Sequence, residues 1–282
     1  MTSKLYVPRD SSAVAMGADL VADKISQVAT ATKADVQIVR NGSRGMMWME
    51  PLLEVETASG RMGYANVTVD DVENFALNGF SESTLAGKGI GLVGEHPYLK
   101  NQERLCFARN GITDPTSIDD YMAHDGFKGL EAALALDGKS IVEIVTKSGL
   151  RGRGGAAFPT GIKWNTVLGC SADQKYIVCN ADEGDSGTFS DRMTMEGDPF
   201  ALIEGMSIAA LAVDATKGYL YLRSEYPHAE EVFNEALRIA REQSYIGENI
   251  RGSKRSFDIE LRRAAGAYIC GEETSLLESL EG

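Results

Sequence analysis

The chain has 282 residues and a net charge of −13, which argues against a nucleic-acid partner and favours docking to a basic partner surface. Hydrophobic residues make up 43%, enough for a real core in about two domains, yet no apolar run reaches the roughly 20 residues that span a bilayer. The opening "MTSKLYVPRD" lacks the apolar stretch of a secretory signal, so we expect a cytoplasmic protein. Cys106, Cys170, Cys179 and Cys270 are scattered without metal-site spacing and are expected to be reduced, mostly buried thiols.

Residues 1–85 read as a small α/β unit. "KLYVP" and "DVQIVR" have strand character, and "ADLVADKISQVATAT" between them places apolar residues at helical spacing. "LLEVET", the turn "ASGR" and "GYANVTV" predict a hairpin, and "DDVENFALNG" predicts a helix with an Asp cap and a Gly stop. Strand, helix, strand, hairpin, helix is the order of a thioredoxin-like fold. Residues 86–138 form a connecting segment, with a glycine-rich join "LAGKGIGLVG" and a polar helical stretch around "PTSIDDYMAHDGFKGLEAALAL".

From residue 139 strands and helices alternate. "KSIVEIVTKSG" predicts a helix stopped at Gly149. "KYIVC", "GYLYLR" and "FDIELRR" predict strands. "DPFALIEGMSIAALAV", with Asp198 as cap and Pro199 first, and "PHAEEVFNEALRIAREQ" predict helices. "GAYICGEETSLLESLEG" predicts a strand end turning into a helix. This alternation predicts a Rossmann-like, mostly parallel sheet over 139–282, with ligands beyond the carboxyl ends of its strands.

Three stretches in this half have ligand-binding character. In "GLRGRGGAAFPTGIKW", Gly152, Gly154 and Ala157 match G-x-G-x-x-A. The motif follows a helix rather than a strand, and no acidic residue closes a βαβ unit, so it is not a Rossmann turn. It is either a flexible surface loop or an anion cradle, in which backbone N–H groups approach a phosphate or flat ring with Arg153 and Lys163 adding charge. Phe158 and Trp164 either stack on a base or belong to the core.

In "NADEGDSGTFSDR", Asn180, Asp182, Glu183, Asp185 and Asp191 crowd a loop at a strand end. Solvation, a metal site without EF-hand spacing, and acceptance of hydrogen bonds from ribose hydroxyls all fit these residues. Gly271, Glu272 and Glu273 stand where a helix begins, where acids also complement the helix dipole. His96, His124 and His228 lie outside all three loops, so no Ser-His-Asp set is legible. Hydride transfer suits that absence, because it needs two molecules held in register rather than an acid–base pair.

These three stretches, in this order, resemble the FMN and NADH motifs of the family of respiratory complex I flavin subunits. The resemblance runs from about Tyr98 to the last residue. It implies that Gly152, Arg153, Gly154 and Lys163 hold FMN, and that Asn180, Asp182 and Glu183 meet its ribityl chain and ring edge. It implies that Tyr268, Gly271, Glu272 and Glu273 complete the pocket, with Glu183 and Glu273 as the catalytic pair. Gly155, Ala156 and Phe158 would face NAD(H), Phe158 against its adenine. Asp185 stands where the family often has Glu, shortening the acid at the adenosine ribose.

The first 85 residues resemble a thioredoxin-like [2Fe-2S] domain whose cysteine positions fall here on Pro8, Ala13, Ser43 and Met47, none of which supplies a thiolate. A cluster-less domain beside "RNGSRGMMWMEPLLEVET" is most similar to the soluble NAD-dependent formate dehydrogenase branch of the family. That branch implies a diaphorase passing electrons between NAD(H) and iron–sulfur centres. Its partners would be a molybdenum-containing formate dehydrogenase alpha subunit and a small [2Fe-2S] thioredoxin-like subunit. The family continues beyond "LESLEG" into a [4Fe-4S] motif that the residues here do not supply, so a fragment is expected. Complex I and NAD-reducing hydrogenase versions remain open, as do a metal-dependent sugar-phosphate enzyme and a non-catalytic redox scaffold.

Overall fold

The computed structural model describes residues 2–77, 79–80, 85, 87–185 and 187–282. It contains two compact units, Met1–Ser117 with Glu196–Asp198, and Ile118–Met195 with Pro199–Gly282. The connecting segment expected over 86–138 is divided between them.

In the first unit, β1 (Ser3–Tyr6), α1 (Ser11–Ala15), α2 (Ala18–Thr32) and β2 (Val36–Val39) are followed by the hairpin β3 (Leu53–Thr57) and β4 (Gly60–Tyr64). Next come α3 (Val69–Leu77) and β5 (Gly89–Leu92). The sheet order is β2-β1-β3-β4-β5, with β1 parallel to β2 and the later pairings antiparallel. Helix α2 buries Val21, Ala22, Ile25 and Ala29, a helical stripe against Leu5, Leu53 and Phe75.

Two details differ from expectation. The glycine-rich join supplies strand β5, which the sequence hid because Gly89 and Gly91 have low strand propensity. Glycine is required opposite it, since a Cβ on Gly63 would lie 2.6 Å from Val93 Cγ2. The cap of α3 is built on Thr68, whose amide and hydroxyl both donate to the Asp71 carboxylate, at 2.7 and 2.6 Å. The stop at Gly79 has φ +69°, while Asn78 lies outside the described residues.

Ser43 is buried and tied into its own network. Its hydroxyl donates to Glu50 Oε1 and accepts from Gly45 N, each at 3.0 Å, while Glu50 Oε2 accepts from Leu52 N at 2.9 Å. Burial first, then the charge of Asp10, pushes the Glu50 carboxyl up to about 7. Nearby, the fully buried Glu54 is paired bidentately with Arg44, at 2.7 and 2.8 Å.

The second unit contains α4 (Ile118–Ala123), α5 (Lys128–Leu134), α6 (Gly138–Ser148), α7 (Thr160–Gly169), β6 (Tyr176–Ala181), α8 (Ser190–Gly197) and α9 (Pro199–Val213). It continues with β7 (Lys217–Leu222), α10 (Pro227–Glu242), β8 (Asp258–Arg263) and α11 (Glu273–Glu281). The last two residues of α8, Glu196 and Gly197, count with the first unit. The sheet order is β6-β7-β8, all parallel, as expected.

Helix α9 is apolar nearly all round and buries Phe200, Ile203, Met206, Ala210 and Leu211. Its one buried acid, Glu204, accepts from Phe127 N and Leu130 N at 2.8 and 2.9 Å and from the Tyr121 hydroxyl. It thereby supplies the first turn of α5 with an acceptor.

The polar helical stretch is two short helices, interrupted where Asp125 and Phe127 take positive φ of 68° and 60°. The strand end expected in "GAYICGEE" is a 3-10 turn, Tyr268–Gly271. The four cysteines are free, but Cys106 and Cys170 are exposed, which corrects the expectation of mostly buried thiols. Among the described residues, no helix is long and apolar enough to cross a membrane.

Candidate functional site

The three parallel strands end level, since Ala181 of β6 registers with Leu222 of β7, and Leu222 with Arg263 of β8. The segments that leave these ends, 182–191, 223–226 and 264–272, therefore share one edge of the sheet, where open α/β sheets bind ligands.

The acidic loop and the turn before α11 are stitched together. Asn180 Nδ2 donates to Gly271 O at 2.8 Å, and Asn180 Oδ1 accepts from Asp182 N at 3.1 Å. A Cβ on Gly184 would lie 2.9 Å from the Tyr268 ring, and one on Gly271 would lie 3.1 Å from Asp182 O. A side chain at either position would have to displace the Tyr268 ring or the Asp182 carbonyl. Tyr268 is otherwise 77% exposed, so its ring projects from the stitched loops.

Asp182 and Glu183 are both buried but used differently. The Glu183 carboxylate is fully engaged. Oε1 accepts from Ser190 Oγ and Asp191 N, each at 3.0 Å, and Oε2 accepts from Tyr226 Oη at 3.0 Å and Arg192 N at 3.3 Å. It thus caps α8, an anion at a helix N-terminus. Asp182 Oδ2 is buried without a hydrogen-bond partner. Burial raises the Asp182 carboxyl, partly opposed by the positive charge of Arg223.

Asp191 is pushed up to about 6 by burial and by the Glu183 charge. Tyr226 is pushed up to about 12 by burial and then by Glu183. Asp185 is exposed, and its Oδ1 accepts from Gly187 N at 3.1 Å in a local turn.

The glycine loop is closed at its neck. Arg151 and Pro159 form an isolated antiparallel bridge, and Gly152 N donates to Phe158 O at 2.9 Å. Beyond that neck Arg153, Gly154, Gly155, Ala156 and Phe158 are exposed, and a Cβ at Gly154 would meet nothing within 4 Å. Trp164 packs partly buried against the core, so of the two rings only Phe158, 51% exposed, is free to stack. Helix α7 follows directly and carries Lys163, whose Nζ pairs with Glu273 at 3.1 Å. Glu272 caps α11 by accepting from Ser275 N at 3.1 Å, and hydrogen bonds from the first-turn backbone hold its carboxyl low.

Of the sequence-derived candidates, Asn180, Asp182, Glu183, Tyr268 and Gly271 come together directly, and Lys163 joins Glu273. Four residues escaped the sequence reading. Gly184 and Ser190 sit inside a quoted motif, and Arg223 and Tyr226 belong to "LRSEY", just past the end of β7. The position of that run after a predicted strand was the available signal. Among the described residues, no group of three or more acidic, Cys or His side chains is placed to hold a metal.

The site's chemistry suits a polyhydroxylated, phosphate-bearing cofactor. A buried acceptor lacks a donor at Asp182, the loop at Gly154 leaves its backbone open, and Lys163 and Arg153 carry positive charge.

A parallel sheet with stitched acidic loops at its carboxyl edge is the arrangement in which open α/β folds bind ligands. Residues 145–282 match the family model of the Nuo51 FMN-binding domain, which supports the family of complex I flavin subunits. The chain is 52% identical over 183 residues to the NADP-reducing hydrogenase subunit HndC of Solidesulfovibrio fructosivorans, covering 65% of this chain and 37% of that protein. It is 47% identical over 166 residues to an NADH-quinone oxidoreductase subunit of Aquifex aeolicus, covering 59% and 39%. A solved NAD+-reducing [NiFe]-hydrogenase in the air-oxidised state aligns with 99% of this chain and 46% of its own, at 24% identity and a TM-score of 0.49. The chain thus matches less than half the length of each of these proteins.

Proposed function

We propose that this chain is a diaphorase component that binds FMN and NAD(H) and passes electrons between NAD(H) and iron–sulfur centres. The observation that carries this reading is the meeting of the acidic loop and the Tyr268–Gly271 turn at the carboxyl edge of β6. Bound FMN supplies the exchange between two-electron hydride chemistry and single-electron transfer. The chain's own residues bind, orient and screen.

Backbone N–H groups of Gly154 and Gly155 would approach the phosphate and ring, with Arg153 and Lys163 supplying positive charge, while Gly152 closes the neck through its bond to Phe158 O. Lys163 exchanges its exposed partner Glu273 for the cofactor. Asp182 Oδ2 accepts from a ribityl hydroxyl and so gains the partner it lacks. Tyr268 covers the ring edge beside Gly271, Glu272 and Glu273. Gly155, Ala156 and Phe158 receive NAD(H), and Asp185 accepts from the adenosine ribose. Glu183, enclosed by donors, places negative charge under the loop without moving a proton.

For the parent complex we propose a cytoplasmic NAD-dependent formate dehydrogenase, with a molybdenum-containing alpha subunit and a small [2Fe-2S] thioredoxin-like subunit as partners. Supporting it is the first unit, read as a thioredoxin-like domain whose cluster positions carry Pro8, Ala13, Ser43 and Met47, with Ser43 committed to Glu50. The second reading, a flavin subunit of a hydrogenase or of complex I, is favoured by the names of the relatives at 52% and 47% identity.

The purified chain, titrated with FMN, is expected to quench flavin fluorescence at one-to-one stoichiometry and to reduce ferricyanide with NADH. Absence of saturable quenching would reject the flavin reading. Metal analysis of the complex isolated with the native chain separates the parents, since molybdenum is expected and nickel without molybdenum would overturn it.

A further inference from the structure

We propose that Tyr226 and Arg223, in the turn after the central strand, are positioning residues that hold the Asp182–Glu183 segment in its cofactor-binding shape. This rests on the flavin reading above. The turn grips that segment at three levels. Arg223 N donates to Ala181 O at 3.1 Å, extending the β6–β7 ladder by one bond. The Arg223 guanidinium donates to the main-chain carbonyl of Glu183. The Tyr226 hydroxyl donates to Glu183 Oε2 at 3.0 Å.

One residue is thus held by its carbonyl and its carboxylate from a single turn, which fixes both the path of the chain and the rotamer. The holders are themselves fixed. Tyr226 is 8% exposed, its N–H donates to Arg223 O at 3.2 Å, and the guanidiniums of Arg223 and Arg192 lie 5.4 and 5.9 Å from its ring. Arg223 Nε lies 3.3 Å from Glu225.

The consequence reaches the cofactor through two groups. Asp182 directly precedes the gripped residue, and its unpartnered Oδ2 is the proposed acceptor for a ribityl hydroxyl. Glu183 carries a charge whose compensation depends on its four donors. Without the Tyr226 hydroxyl, Oε2 loses its 3.0 Å bond and retains the longer 3.3 Å contact to Arg192 N. The negative charge under the loop is then less compensated, and a reduced, electron-rich flavin bound there would be disfavoured.

The test uses the full chain with Tyr226→Phe, Arg223→Gln and Arg223→Lys. Tyr219→Phe serves as control, on the strand that leads into this turn but stacked on Tyr176. Without FMN, hydrogen exchange at the amides of Asp191 and Arg192 is read first. These amides lie in the first turn of α8, and Glu183 is their acceptor, so their protection reports where its carboxylate sits. About tenfold faster exchange is expected in Tyr226→Phe, the scale of one lost hydrogen bond to a charged group, and none in Tyr219→Phe.

With FMN, about tenfold weaker binding is expected in Tyr226→Phe and Arg223→Gln, largely restored in Arg223→Lys, with the bound flavin's midpoint potential more negative in Tyr226→Phe. Unchanged exchange, or loosened amides with wild-type FMN affinity and potential, overturns the proposal. A wild-type chain that takes up no FMN rejects the flavin reading instead, and the exchange comparison alone then decides whether this turn holds Glu183.

Discussion

At Gly154 a side chain has room in the ligand-free chain, because nothing lies within 4 Å of an added Cβ. If backbone must approach a flavin there, bulk at this position affects the ligand and not the fold. Gly154→Leu is therefore expected to keep its melting behaviour within about 0.5 kcal/mol of wild type while FMN content on purification falls at least tenfold. Full flavin content in the variant refutes the cradle. Asp185 makes the complementary case for the second substrate. A carboxylate accepts from ribose hydroxyls and repels a 2′-phosphate, so Asp185→Asn should narrow the preference for NADH over NADPH. Equal kcat/KM ratios in variant and wild type count against it. Glu50 carries a pH dependence. Its carboxyl is raised from 4.5 to about 7, chiefly by burial, so the folded chain favours the neutral acid. Its contribution is fully present below pH 4.5 and is lost as pH rises through 7, about 3 kcal/mol in all. Glu50→Gln should flatten that part of the stability–pH curve, read from urea midpoints between pH 5 and about 8. A slope unchanged by the substitution would show that Glu50 does not titrate there.

Among the elements, Glu204 shows how a helix end is completed from outside its own sequence. The first turn of α5 has no side-chain cap of its own, and Glu204 of α9 accepts from Phe127 N and Leu130 N instead. Glu204→Ala takes their acceptor from the amides of Phe127 and Leu130 in a buried core. We expect a loss of roughly 3 kcal/mol or more by urea denaturation, and a smaller loss for Glu204→Gln, which keeps one acceptor. The same dependence on distant partners explains which elements were legible. Helices α2, α6 and α10 announced themselves because their buried residues recur with helical period and carry their own stops or starts, such as Gly149 after α6 and Pro227 opening α10. Helices α7 and α8 did not. Each is ten residues or fewer, with Gly161 pressed against Thr146 in one and Glu183 capping the other from seven residues upstream. The site was half legible for a related reason. Residues inside long motifs could be read, whereas Arg223 and Tyr226 matter only because β7 lies beside β6 and ends level with it, a fact of pairing that one strand's sequence does not carry.

For the whole molecule, the chain order of the first unit differs from its spatial order. Its last three residues, Glu196–Asp198, come from far along the sequence. They are built into it closely. Glu196 accepts from Ser11 N at 2.8 Å and from the Ser11 hydroxyl, at the start of α1. Asp198 accepts from Arg109 Nε at 3.0 Å. A Cβ on Gly42 would lie 2.7 Å from Gly197 Cα, so the backbone fits there without side chains on either strand of contact. A cut after Ser117, where the contiguous part of the first unit ends, therefore removes acceptors from a partly buried helix start and from Arg109. The fragment 1–117 should be less stable than the same unit in the intact chain by roughly 2–4 kcal/mol, the combined scale of a lost cap and a partly buried ion pair. The chain has two tryptophans, and Trp48 stands in the first unit with Tyr98 edge-on at 5.0 Å. In a Trp164→Phe background its fluorescence follows that unit alone, so urea midpoints of fragment and full chain can be compared with one probe. Glu196→Ala in the full-length chain of the same background should reproduce about half of that loss. Coincident midpoints for fragment, variant and intact chain would mean that the three residues rest against the first unit without stabilising it.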